Sequence, residues 1–175
     1  MRKRLPSQGI ALIIAQLVLI VNVIVVPMAY AEGISEEKEG AISVGCSSIK
    51  VTLKALQKQD SRMRVYLGSK YEIVLSNFMT NLNLRLIKNN LASEELAGLQ
   101  TTFSSERERF KSDFTGYSQS LESLIAIDCQ SEPQRFYDQL VEVREKRSDV
   151  QASYNRLNDV LGWHKQEVMG LKEEL

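Results

Sequence analysis

The side chains with reactive potential are few and far apart. His164 is the single histidine, and the only cysteines, Cys46 and Cys129, stand 83 positions from one another. Histidine is the one side chain that ordinarily titrates near neutral pH, which makes His164 the nominal acid–base candidate. It falls on an apolar stripe with neither a nucleophile nor a metal ligand beside it, and it reads as a packed core histidine. Trp163 is adjacent but off that stripe, so it either caps a helical core near Gly98 or presents its ring to a partner.

Neighbouring carboxylates occur at Glu36 and Glu37, Glu94 and Glu95, and Glu173 and Glu174. Glycoside hydrolysis needs two carboxyls across a sugar-binding cleft, which narrow helices do not offer. Glu94 and Glu95 are first-turn acids behind an N-capping Ser93, where they complement the helix dipole. The S-x-x-K matches at Ser35–Lys38 and Ser47–Lys50 lack the companion elements of penicillin-recognising enzymes. No phosphate-binding glycine loop, zinc-binding helix motif, C-x-x-C or nucleophile elbow is present. The expectation is a non-catalytic protein without metal or cofactor.

Lys50, Lys54, Lys58 and Arg62 step by four along one predicted helix and form a slowly drifting basic stripe. It is a candidate face for an anionic ligand, such as a lipid headgroup or a wall polymer. The competing expectation is a solvated face balanced within the fold, because residues 49–90 carry +6 whereas 93–128 carry −4 and 131–175 carry −2.

The cysteines also bear on compartment. Arg2, Lys3 and Arg4 precede an apolar run, Gly9 to Val26, and then Ala29-Tyr30-Ala31, the order of a secretory signal peptide over residues 1–31. The alternative is an uncleaved membrane anchor, residues 10–26, with the remainder outside the cytoplasm. Lipid attachment at Cys46 is disfavoured because it lies 20 residues beyond Val26. Outside the cytoplasm, two cysteines read most simply as one disulfide, Cys46–Cys129. Without the first 31 residues the chain has 19 Lys and Arg against 22 Asp and Glu, a balance of −3 that gives no support to nucleic-acid binding.

The elements that must carry these residues are helical. Residues 32–45, with three glycines and four glutamates, read as a flexible acidic spacer. From Cys46 no proline occurs until Pro133, and apolar residues recur at steps of three and four. Helices are expected at about 49–88, 94–128 and 133–175, forming the folded unit 46–175. In the last, Phe136, Leu140, Val143, Arg147, Val150, Tyr154, Leu157, Leu161, His164, Val168, Leu171 and Leu175 alternate steps of four and three, a coiled-coil seam. Ser131 is its expected N-cap, with Gln134 three residues on.

The first seam runs Ile49, Leu53, Leu56, Asp60, Met63, Leu67, Tyr71, Val74, Phe78, Leu82, Leu86 and the second Leu96, Leu99, Phe103, Glu106, Phe110, Phe114, Tyr117, Leu121, Leu124. A turn at residues 89–93 would pair them as a hairpin, set the four-step stutters Leu67–Tyr71 and Phe110–Phe114 face to face, and bring Cys46 to the level of Cys129. Asp60, Glu106 and Arg147 interrupt the seams, and level counting pairs Arg147 with Asp113 as a register lock. Breaks are expected, if anywhere, at Gly68, Gly98 or Gly116.

The fold expected is therefore all-α: an antiparallel three-helix bundle or coiled-coil rod with one disulfide. The function expected is an exported structural or interaction protein of the cell envelope or extracellular space. It would bind another protein through helix faces, as a monomer or weak dimer, with Val51, Val65, Ile73, Ile125 and Val141 available outside the seams. The alternative is a secreted or membrane-tethered module binding an anionic ligand through the Lys50–Arg62 stripe, with membrane contact through the N-terminal segment.

Overall fold

The structure is a computed structural model and describes residues 34–174. The expected leader or anchor, residues 1–31, lies outside the described residues. The described chain is an all-α bundle of three long helical arms, with one disulfide tying the first arm to the connection between the other two. The first arm comprises α1 (Glu36–Ile73), a π-helical segment (Val74–Thr80) and α2 (Asn81–Lys88); α3 (Glu94–Ala126) and α4 (Pro133–Glu174) are the other two.

Helix α1 begins at Glu36, so the stretch read as a flexible spacer is helical for most of its length, and that reading is corrected. The apolar stripe continues upstream of the cysteine: Ile42, Cys46, Ile49 and Leu53 follow at steps of four and three and pack on the core. Glu36, Glu37 and Glu39 in the first turn favour a helix start electrostatically. The segment is also anchored across the bundle. The Ile34 amide donates to Gln134 Oε1 (2.9 Å), Ser43 Oγ to the Gln130 carbonyl (3.3 Å), and the Lys38 ammonium lies over the Tyr137 ring.

Partners across α1 and α3 descend one helix as they ascend the other. Cys46 meets Cys129 just beyond the end of α3, Asp60 meets Tyr117, Arg64 meets Thr115 and Glu72 meets Arg107. Tyr71 packs edge-to-face on both Phe103 and Phe110 (5.9 and 5.7 Å between centroids), and Phe110, Phe114 and Tyr117 continue the aromatic series. From α4, Phe136, Val143, Val150, Leu157 and Val160 complete the core.

The ends follow local chemistry. Ser93 caps α3 by accepting from the Leu96 amide (3.2 Å), as its sequence position indicates. The Leu91 amide reaches back to the Leu86 carbonyl (2.9 Å) and Asn90 to Ile87 (3.2 Å), with Asn90 at φ 58°, a Schellman closure using asparagine in the left-handed region. Ser131 is not the N-cap expected of it. Its hydroxyl donates to Asp128 (2.8 Å), which also accepts from the Gln130 amide (3.1 Å), so an Asx turn organises the approach to α4. The Ser131 hydroxyl, with the Gln130 amide, holds the Asp128 carboxyl below the usual carboxylate range.

Helix breaking occurs at none of the suspected glycines: Gly68, Gly98 and Gly116 all lie within α-helix. The irregularity is the π segment, where Thr80 Oγ1 donates to the Leu75 carbonyl five residues back (2.8 Å). A wider turn accommodates one extra residue and moves the seam by one position. Met79 is therefore fully buried and Phe78, expected in the seam, is 63% exposed. Further along, Asn83 is buried, while Leu82 and Leu86 are only half-buried.

Candidate functional site

Three polar groups from three arms converge in the middle of the bundle. Asp60 of α1 is 3% exposed, and its Oδ2 accepts from the Tyr117 hydroxyl of α3 (2.6 Å). The Arg147 guanidinium of α4 approaches the same oxygen at 3.8 Å. Burial first, and the bond to Asp60 second, push the ionisation of Tyr117 well above its ordinary range, so the hydroxyl remains a donor. The three groups line a cleft of 520 Å³ together with Met63, Phe114, Val150, Arg144, Ser148 and Gln151. The Asp60 carboxylate thus ties α1 to α3 through a hydrogen bond and to α4 through charge. The Arg147 side chain is 53% exposed, so solvent screens its attraction to Asp60, and the buried Tyr117–Asp60 hydrogen bond, of a kind worth about 1.5–3 kcal/mol, is the stronger link.

The partner expected of Arg147 is corrected. Arg147 pairs with Asp60, and Asp113 instead accepts a hydrogen bond from the Ser153 hydroxyl. The physical reason is that level counting along one hairpin does not fix how α4 lies against α1, since no short turn joins them. Glu106, the third seam interruption, pairs with Arg156 of α4 (2.8 Å). In the sequence Tyr117 stands only as a seam position; the signal of its hydrogen bond is an aspartate on the facing seam that needs a donor once buried.

Lys54, Lys58 and Arg62 are exposed on α1 and Lys50 is half-buried. Among the described residues, none of the four has an ion-pair partner within 4.0 Å. Lys58 and Arg62 line a shallow groove of 650 Å³ with Gln57, Ser61, Val65 and Tyr66. On the same outward side, opposite the buried set Leu53, Asp60, Leu67 and Tyr71, stand Val44, Val51, Val65, Tyr66 and Ile73. Val44, Val51, Lys58 and Val65 follow at steps of seven, which keeps them in line along a supercoiled helix. Of the other apolar positions noted outside the seams, Val141 is exposed at the margin and Ile125 packs against the core.

His164 is half-buried and its Nε2 has no hydrogen-bond partner; burial lowers its pKa below the ordinary histidine value. Trp163 is exposed. Two further buried polar atoms lack partners, Tyr71 Oη and Asn83 Oδ1. Burial pushes the Tyr71 hydroxyl up to about 12, Tyr154 adding to the shift, and the Asn158 amide beside it turns to the Tyr154 carbonyl instead (2.8 Å).

Comparison with protein-family models, with curated proteins and with solved structures found no match. The disulfide is a bond characteristic of oxidising, extracytoplasmic compartments. Among the described residues no helix is long and apolar enough to cross a membrane.

Proposed function

We propose that this chain is an exported, non-catalytic interaction protein that docks a partner protein on the outward face of α1. The observation that carries the reading is the row Val44, Val51, Val65, Tyr66 and Ile73 on the side of α1 turned away from its own core, with Val65 72% exposed. Soluble helices normally reserve that side for polar residues, and an apolar row at heptad spacing suits a second helix laid along it. Lys54, Lys58 and Arg62, without ion-pair partners among the described residues, favour a partner helix with acidic flanks. The disulfide and the basic–apolar–small order of residues 1–31 support secretion to the periplasm, cell surface or medium, with anchorage by residues 10–26 as the alternative.

A photo-crosslinking residue at Val65 in the native host should give one discrete adduct. Val51→Asp with Tyr66→Asp should abolish it while the helical circular dichroism is retained. An adduct that persists unchanged in that double variant would sink the proposal.

The same unpaired basic stripe favours a second reading, an anionic ligand such as a wall polymer held at Lys50, Lys54, Lys58 and Arg62. Salt-sensitive binding to isolated wall polymer, lost on Lys54→Glu but indifferent to Val51→Asp, would select it.

A further inference from the structure

Helix α4 carries an outward row of its own. Asp138, Glu145, Ala152 and Asp159 follow at steps of seven, each two residues beyond one of the buried Phe136, Val143, Val150 and Leu157. Two residues are about 200° around a helix, so the row points away from the core, and all four of its members are exposed. Asp149 is exposed beside it. Among the described residues, Asp138, Glu145, Asp149 and Asp159 have no ion-pair partner within 4.0 Å. The cations nearest the row are turned elsewhere: Arg156 to Glu106 (2.8 Å), Lys146 to Glu142 (3.3 Å), and Arg144 and Arg147 to the cleft lined by Asp60.

The outward row of α1 has the same pattern and the opposite sign. Val51, Lys58 and Val65 each stand two residues before the buried Leu53, Asp60 and Leu67, and Lys54, Lys58 and Arg62 supply the charge. The acids of α1 do not offset it. Glu36, Glu37 and Glu39 precede Val44, Asp60 is buried, and Glu72 is held by Arg107.

We propose that the helix docked on the outward face of α1 is α4 of a second copy of this chain, laid antiparallel to it. This rests on the reading of α1 as a docking face and names the occupant. Aligning Arg62 with Glu145 in that direction also sets Lys58 against Asp149, Ala55 against Ala152 and Val44 against Trp163, whose ring is 55% exposed. Countercharges thus face each other, small residues meet at the centre, and the exposed indole gains an apolar neighbour. Val51 comes level with Arg156, which offers its aliphatic stem while Glu106 holds the guanidinium. Like-on-like pairing is disfavoured by charge: α1 on α1 would oppose Lys54, Lys58 and Arg62 with their own images, and α4 on α4 would oppose the acids. Exposed ion pairs add little affinity singly and chiefly select partner and register, so the association is weak and salt-sensitive. Each copy carries one row of each sign, which makes the contact heterologous.

Sedimentation velocity on protein purified from its native host tests this. The wild type should associate at about 100 µM and dissociate on dilution or in raised salt. Lys58→Glu with Arg62→Glu should sediment as a monomer, and so should Glu145→Lys with Asp149→Lys. An equimolar mixture of the two variants should associate, because each presents the row that the other needs. All four positions are exposed, so the helical circular dichroism should be unchanged. A monomeric wild type, association undiminished in either variant, or a mixture that stays monomeric overturns the proposal. The crosslinker at Val65 separates this result from the docking face itself. An adduct of two copies, lost in both variants, supports the assignment. An adduct with a different protein, lost only in the α1 variant, overturns it and leaves the docking face standing, whereas no adduct at all removes both.

Discussion

At the end held by Cys46–Cys129, Leu121, Leu124, Cys129 and Phe136 are almost fully buried, and polar groups near the surface find partners in Gln130, Gln134 and Asp128. Toward the hairpin turn the construction differs. Tyr71 Oη, Asn83 Oδ1 and His164 Nε2, the buried side-chain atoms without partners among the described residues, all belong to that half. The same half contains the π segment and exposes Phe78, Leu84, Ile87, Leu91, Trp163 and Met169. A short domain gains stability from one covalent clip and a dry core, and elements that meet partners are drawn from the less stable parts of a fold. The contrast is one of polar satisfaction and not of packing: Met79, Leu96 and Phe103 are as fully buried toward the turn as Leu124 and Phe136 are at the clip, and apolar side chains stand exposed in both halves, Val44 and Val51 at one end and Leu84 and Ile87 at the other.

The largest effect expected from breaking this contrast is loss of the clip. Cys46→Ser with Cys129→Ser should lower unfolding stability by about 3–4 kcal/mol, since the bond closes a loop of more than 80 residues. Urea denaturation measures this, and amide exchange should accelerate first in the opening turns of α1. A loss below about 1 kcal/mol would mean that packing alone secures the clipped end. A smaller change of opposite sign is expected in the other half: Tyr71→Phe keeps the contacts with Phe103 and Phe110 but deletes a buried hydroxyl without a partner, and should stabilise by about 1 kcal/mol. Destabilisation instead would reveal a hydrogen bond to Asn158 formed in solution.

The smallest effect is a pH slope. Burial depresses the folded pKa of His164 below its ordinary 6.5, so the unfolded chain binds the proton more readily. The stability contributed by the neutral ring is whole above that ordinary value and is lost as pH falls through the depressed one. Thermal unfolding followed from about pH 7.5 to about pH 5 should show a slope that His164→Gln abolishes, with loosening near the turn rather than at the disulfide. An unchanged slope in that variant would place the titrating group elsewhere.

The same division governs what the sequence could disclose. The α4 stripe was readable because each of Phe136, Val143, Val150 and Leu157 lies on an uninterrupted alternation and is buried as that alternation requires. Ser93 announced the start of α3, and Cys46 and Cys129 were brought together by counting from the hairpin turn. The reading of Phe78 failed because hydrophobic spacing assumes a constant turn, and nothing in Val74–Thr80 marks a wider one except a threonine able to bond five residues back. Asp60 and Arg147 were both noted as seam interruptions. That they belong to each other depends on how α1 lies against α4, a relation between arms that no turn connects. Leu84 and Ile87 lie off the seam, so their exposure is legible only once Asn83 is known to be buried.

The position of the disulfide decides which arm a protease can free. A cut in the turn at residues 89–93 leaves both fragments joined through Cys46 and Cys129 as one covalent molecule. A cut between Cys129 and Pro133 leaves both cysteines on the same fragment, and α4 then stays by packing and by noncovalent bonds such as those of Gln134, Gln139, Arg147, Ser153 and Arg156. The chain is thus topologically a crosslinked pair of arms carrying a third that one peptide-bond cleavage can release intact.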